Sequence, residues 1–245
     1  MKKTLLLATV ATVAFTMNAN AGVLTPYVSA KLSAAKLDVN QSSREIMPGG
    51  AQEVTRVIRN FQSYDDSKRV WGTSFAAGVS YGLEGGAIRT ELEWQRNTAA
   101  RMNNTYAVYH DDGEAYSSRD KIKTHAYMLN AYYDFDTCTK FTPYVGAGIG
   151  LAKTKIAHHG TMIDEFDMFR AEGTAKHTGI AWQIGAGIAY ALNDNVSVDV
   201  GYRYIDYGKF KDSSLEDRGP DEVTLSRTSY ETTANELYAG LRYSF

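Results

Sequence analysis

Between Trp71 and Leu83 the odd positions read Trp71, Thr73, Phe75, Ala77, Val79, Tyr81 and Leu83, and the even positions Gly72, Ser74, Ala76, Gly78, Ser80 and Gly82. A period of two puts these sets on opposite faces of a β-strand; a helix, with a period of 3.6, would mix them. One face is large and mostly apolar and the other is small. After a tight turn at Leu83-Glu84-Gly85-Gly86 the alternation resumes, with Ile88, Thr90, Leu92 and Trp94 opposite Arg89, Glu91, Glu93 and Gln95. Here the second face is charged, so the sheet has an apolar side and a polar side.

Six more segments carry the same period and predict strands. The first runs from about Pro26 to Val39, with Val28, Ala30, Leu32 and Ala34 on the apolar face. The fourth runs from about Lys123 to Phe135, the fifth starts at Pro143, and the sixth runs from about Gly179 to Leu192. Val196 to Tyr204 and Leu237 to Phe245 supply the seventh and eighth. The connections alternate in length. Short ones fall near Glu84–Gly86, Asp136–Lys140 and Asn193–Asn195, and long polar ones span roughly Asn40–Arg69, Thr98–Ile122, Ile156–Thr178 and Lys209–Thr232. The stretch Thr25-Pro26-Tyr27-Val28 is echoed by Thr142-Pro143-Tyr144-Val145, as if two four-strand halves began alike.

The first twenty-one residues have another character. Lys2 and Lys3 precede an apolar run from Leu5 to Phe15, and Ala19-Asn20-Ala21 follows. This order predicts a signal peptide over residues 1–21, cleaved after Ala21, with a single domain over 22–245. Beyond it no stretch of about 18 apolar residues recurs, so no membrane helix is expected. An exported chain that spans a membrane without helices must close its strands on themselves, because backbone groups in hydrocarbon need internal partners. The expected fold is therefore all-β, an eight-stranded antiparallel up-and-down transmembrane β-barrel. The mean hydropathy of −0.34 fits, because only alternate strand residues need face lipid. Aromatic residues gather at strand ends, where interfacial girdles form. Trp71, Trp94 and Trp182 fall at the long-loop end, and Tyr133, Phe135 and Tyr190, with Tyr81, at the short-turn end. The final alternation of Leu241, Tyr243 and Phe245 has the form of a barrel assembly signal.

The inner face carries Lys31, Arg89, Glu91, Glu93, Asp134, Asp199, Arg203, Glu236 and Arg242. Eight strands leave an interior just wide enough for side chains to fill. Charges there have to be paired. An ion-pair network joining the third strand to the last two, and plugging the lumen, is the expectation.

Four segments carry a family likeness. They are Met128-Leu129-Asn130-Ala131-Tyr132-Tyr133-Asp134-Phe135, Thr142 to Gly148, Trp182-Gln183-Ile184-Gly185-Ala186-Gly187 leading to Val200-Gly201-Tyr202-Arg203-Tyr204, and the closing Tyr243-Ser244-Phe245. With these the chain resembles the opacity-type outer-membrane β-barrel proteins, related in architecture to the outer membrane protein A barrel. The resemblance implies location in the bacterial outer membrane and a surface role in envelope integrity or adhesion to host molecules. Narrow, porin-like passage of small solutes is the alternative. It also implies that functional determinants lie in the loops.

A net charge of −2 gives no basic excess for nucleic acid. Expected partners are outer-membrane lipids, the barrel assembly machinery, and host or surface ligands at the loops. No enzyme, cofactor or metal is expected. His125 beside Thr124 has no serine near it, and His110-Asp111-Asp112 reads as a solvated acidic turn. His158 and His159, adjacent on a strand end, point apart and make a poor metal pair with Asp164 and Glu165. Cys138, the one cysteine, precludes an internal disulfide.

Overall fold

The computed structural model describes residues 24–46, 66–107, 115–163, 168–217 and 223–245. The signal peptide and its cleavage point at Ala21 lie outside these residues, as do His110 and the pair Asp164–Glu165. The described strands are β1 (Leu24–Ile46), β2 (Asp66–Leu83), β3 (Gly86–Asn97), β4 (Ala100–Ala107), β5 (Ala115–Phe135), β6 (Phe141–Ile163), β7 (Met168–Ala191), β8 (Val196–Asp217) and β9 (Val223–Ser244).

Neighbouring strands pair antiparallel in the order β3-β2-β1-β9-β8-β7-β6-β5-β4, and a further pairing of β3 with β5 closes the sheet. β3 and β4 lie end to end along β5. β3 pairs with it from Gly86↔Phe135 to Arg96↔His125, and β4 from Ala100↔Ile122 to Ala107↔Ala115. At the Thr98–Ala99 break, the Thr98 amide donates to the Trp71 carbonyl at 2.7 Å and the Trp71 amide to Thr98 Oγ1 at 3.1 Å. The two segments thus make one wall, and the molecule is a closed eight-stranded antiparallel barrel.

The short turns are set by local chemistry. Gly85 takes a φ of +84°, a left-handed conformation that costs glycine nothing. Asp136 Oδ1 accepts the Cys138 amide at 2.8 Å, and Asn193 Oδ1 accepts the amides of Asn195 and Val196 at 3.0 and 2.8 Å.

The strands run farther than the outward apolar pattern indicates. All four long connections expected from the sequence contain paired strand at both ends, the second after its two-residue break at Thr98–Ala99. β1 and β9 stay in register up to Ile46↔Leu225, and β6 and β7 up to Ile163↔Met168. The reason is a reversal of polarity along each strand. On β1, Val28, Leu32 and Ala34 face outward and Lys31 is buried inside; one step later Lys36 faces outward, while Ala35, Leu37 and Val39 are buried inside. β5 changes from outward Tyr127 to outward His125 and Lys123, with Ala126 and Ile122 inside. β6 changes from outward Leu151 to outward Lys153 and Lys155, with Ala152 and Ile156 inside. Below this level the wall separates hydrocarbon from a charged interior. Above it, the wall separates water from an apolar core of Ala35, Leu37, Val39, Val70, Ala100, Ile122, Ile156, Ile205 and their neighbours.

β8 carries a bulge between Asp206 and Lys209. Gly208 sits there at φ +87°, its amide bonded to Asp206 Oδ1 at 2.7 Å, and a Cβ at this position would lie 2.6 Å from the Ile180 carbonyl oxygen. Beyond the bulge the two neighbours of this seam diverge. The β7–β8 ladder ends at Trp182↔Asp206, while β8 continues along β9 to Asp217↔Val223.

Candidate functional site

Period-two alternation aims nine ionisable side chains of β1, β3, β5, β8 and β9 into the barrel, and all nine are buried: Lys31, Arg89, Glu91, Glu93, Asp134, Asp199, Arg203, Glu236 and Arg242. They form two clusters. Towards the short turns, Arg89 Nε donates to Asp134 Oδ2 at 2.6 Å, Arg242 Nη2 lies 3.2 Å from Asp199 Oδ1, and Arg242 Nη1 lies 3.9 Å from Asp134. Nearer the membrane's other face, Lys31 Nζ donates to Glu91 Oε1 at 2.9 Å and lies 3.5 Å from Glu93. Arg203 bridges two strands. Its Nη1 reaches both Glu93 oxygens at 2.9 Å, while Nε and Nη2 reach Glu236 Oε1 at 2.9 and 2.6 Å. Multidentate guanidinium–carboxylate contacts of this kind fix geometry as well as add energy.

Neutral residues complete the network. Tyr27 Oη and Tyr132 Oη donate to Glu91, each at 3.0 Å. Asn130 Nδ2 donates to Glu93 at 2.8 Å and accepts from Gln183 at 2.6 Å through its Oδ1. Tyr144 and Tyr238 join hydroxyl to hydroxyl at 3.0 Å. The Arg89 guanidinium sits 4.8 Å from the Tyr132 ring and 4.9 Å from the Tyr144 ring, close enough for cation–π attraction.

Sequence reasoning missed the tyrosines and amides as members of this set. A signal was present for two of them. Tyr27 and Tyr144 occupy the same place in the two Thr-Pro-Tyr-Val echoes, and both rings enter the interior. The space for these long groups comes from glycines. A Cβ on Gly187 would lie 2.5 Å from the Tyr144 ring, and one on Gly201 2.5 Å from Tyr238 Oη. One on Gly240 would lie 2.8 Å from Lys31 Cγ.

The aromatic residues of the two expected girdles face outward at opposite ends of the apolar band. Trp71, Trp182 and, half-buried, Trp94 stand at the long-ladder end; Tyr81, Tyr133, Phe135 and Tyr190 stand at the short-turn end. Phe75, Trp94 and His125 stack in series, with centroids 6.1 and 6.5 Å apart. Leu241, Tyr243 and Phe245 form an outward stripe on the last strand, where the Tyr243 and Phe245 rings meet at 5.1 Å. His125 lies outside the barrel beside Trp94, across from Arg96 and Lys153, away from any buried carboxylate. Cys138 is exposed in a turn.

Three comparisons place this architecture among known proteins. A sequence profile for a family described as the outer membrane protein beta-barrel domain matches residues 5–245. The outer membrane protein PagN of Salmonella typhimurium is 31% identical over 184 residues, which cover 74% of this chain and 75% of that protein. A Rickettsia conorii protein described as a candidate adhesin is 30% identical over 64% of this chain and 61% of its own length. Among solved structures, Neisserial surface protein A superposes with a TM-score of 0.50 at 21% identity, covering 90% of this chain and 97% of that one.

Proposed function

Because this chain belongs to the outer membrane protein β-barrel family, we propose that it is a surface-display barrel of the bacterial outer membrane. In this reading a sealed transmembrane scaffold holds out long strand ladders for contact with host or other surface ligands. The carrying observation is the division of labour along each strand. The membrane-level interior is filled by the Lys31–Glu91–Glu93–Arg203–Glu236 and Arg89–Asp134–Arg242–Asp199 pairs. Above that level the same strands continue around a packed apolar core and extend the wall beyond the charged section. A barrel used for conduction would need an open, wetted lumen. Here the space is taken by salt bridges and tyrosine rings. The likeness to a protein described as a candidate adhesin supports contact with host ligands.

The remaining parts fit this reading. Residues 1–21 serve as an export signal cleaved after Ala21, the two aromatic girdles hold the barrel at the lipid interfaces, and the Leu241–Tyr243–Phe245 stripe engages the assembly machinery. No catalytic step is assigned.

Two measurements test the reading. Planar-bilayer recording of the purified barrel should show no steady conductance; an open, persistent channel would replace surface display with narrow solute transport. Cells of a non-adherent Gram-negative strain displaying the chain should gain attachment to host cells, and replacing residues 47–65, 108–114, 164–167 and 218–222 with Gly-Ser segments should abolish the gain. Attachment unchanged by those replacements would remove the tips from the function.

A further inference from the structure

The barrel wall is not closed to the same height on every seam. The β7–β8 ladder stops at Trp182↔Asp206. β7 nevertheless runs on as strand to Met168, in continuous antiparallel register with β6, and β8 runs on to Asp217 along β9. The two strands part as a fork. At its base Gly208 lies against the Ile180 carbonyl, and a Cβ on Gly179 would lie 3.9 Å from the Tyr207 carbonyl oxygen. Higher up, a Cβ on Gly173 would meet no atom within 4 Å. Gly173, Thr174, Lys176 and Thr178 are exposed. The fork opens at outward Ile180 and Trp182, the upper apolar positions of the belt on β7. That height has a physical reason. Within hydrocarbon every main-chain group needs a partner in the wall, whereas in water a ladder can end.

The two edges of the fork differ. β8 turns away through its bulge at Asp206–Lys209, and Lys209 is paired with Glu231 at 2.9 Å. A bulge that twists an edge away discourages further strand pairing. β7 has neither bulge nor proline between Met168 and Ala181. Every second residue of that stretch directs its N–H and C=O away from β6, into the gap. Such an edge is a template for one more antiparallel strand. Side chains select which strand. Lys176 lies directly opposite Lys155 of β6, and among the described residues neither lysine forms an ion pair. Like charges in register repel. A second copy of β7 paired about Lys176 would add another lysine to this row, whereas an acidic residue there is attracted. On the inner side, the open space at Gly173 has room for apolar side chains, next to Ile156 of the core.

We propose that the edge of β7 from Ala181 up to Met168 is a docking site for an extended acidic segment of a partner protein, which pairs antiparallel with β7 and fills the fork beside β8. The proposal rests on the surface-display reading and states how that surface holds a protein ligand. Main-chain hydrogen bonds supply the grip. Selection comes from a carboxylate in register with Lys176, on the same outward face as Thr174 and Thr178, and from alternate apolar residues that turn inward over Gly173.

The test titrates the folded barrel, in zwitterionic detergent, with a labelled peptide of about ten residues that alternates glutamate and valine, a length that covers about 33 Å of edge. Binding should slow hydrogen exchange of the β7 amides over residues 173–181. Methylating alternate peptide nitrogens should weaken binding at least about tenfold, and lysine in place of glutamate at least about fivefold. Lys176→Glu should narrow the difference between the glutamate and lysine peptides about fivefold or more, whereas Lys36→Glu should change it less than about twofold. Gly173→Pro and Thr174→Pro form a second pair of variants. Of two adjacent residues, one N–H serves β6 and the other points into the gap. The proline variant that keeps its slower migration after heating should lose the peptide at least about tenfold. Should neither proline variant fold, the methylated peptide and Lys176→Glu still decide. Equal binding of methylated and unmethylated peptides, protection on strands other than β7, or wild-type binding by a folded proline variant overturns the proposal, because attraction by charge alone would then account for the contact. Host-cell attachment that persists in the folded proline variant also overturns it while leaving surface display standing, and wild-type cells that gain no attachment remove both.

Discussion

Removing Arg203 is the sharpest probe of the interior. Its guanidinium makes four contacts of 2.6–2.9 Å with Glu93 and Glu236, and it is the only ion-pair partner of Glu236 among the described residues. Arg203→Met keeps much of the volume but leaves Glu236 buried with no cation and Glu93 with only Lys31 at 3.5 Å. Removing one member of a buried pair costs about 3–5 kcal/mol, chiefly because the other charge stays behind. Adding Glu236→Leu removes that stranded carboxylate, so the double variant should recover about 2 kcal/mol or more of the loss. In urea titration of the lipid-embedded barrel, followed by tryptophan fluorescence, a loss of 4 kcal/mol at a slope of about 2 kcal/mol/M moves the midpoint by about 2 M. A single-variant loss below about 1 kcal/mol, or a double variant less stable than the single, would refute the claim that the buried pair is held by mutual neutralisation.

Three other outcomes follow from the same geometry. Gly201→Val drives a side chain into Tyr238 Oη and should cost about 1–3 kcal/mol, read as a lowered heat-modification temperature. Leu37→Ala, above the membrane but inside the barrel, should cost about 2–5 kcal/mol as in a soluble core, whereas Ile184→Arg, on the lipid face, should cost about 2–4 kcal/mol near the midplane; vesicle unfolding measures both. His125 lies just above the apolar belt, and partial burial with Arg96 and Lys123 beside it holds its imidazole below the ordinary value of 6.5. The unfolded chain then binds more protons, so stability should fall as pH drops from about 6.5 through the depressed folded value. Parallel pH titrations should show His125→Gln reducing that slope.

The strands of the membrane zone, their facing and the ionic character of the lumen were legible in sequence. Each rests on alternation that hydrocarbon on one side imposes, and Leu129, Ile149 and Leu237 announce it plainly. The extension of the strands was not legible in the same way. Above the lipid the outside becomes water, so Lys36, Lys123 and Lys153 take the positions that Leu32, Tyr127 and Leu151 hold below. A reader searching for outward apolar residues then sees a polar loop.

Which cation meets which carboxylate was also beyond the sequence. Glu93, Arg203 and Glu236 are separated by 110 and 33 residues and meet only because the sheet closes with β3 against β5. The linear chain determined two-sided strands and an inward set of charges, because side-chain direction follows from strand periodicity alone. Tertiary structure decided the partners and the tyrosine and amide groups that complete them. Those depend on shear and closure, which bring distant strands together at heights that no local pattern encodes.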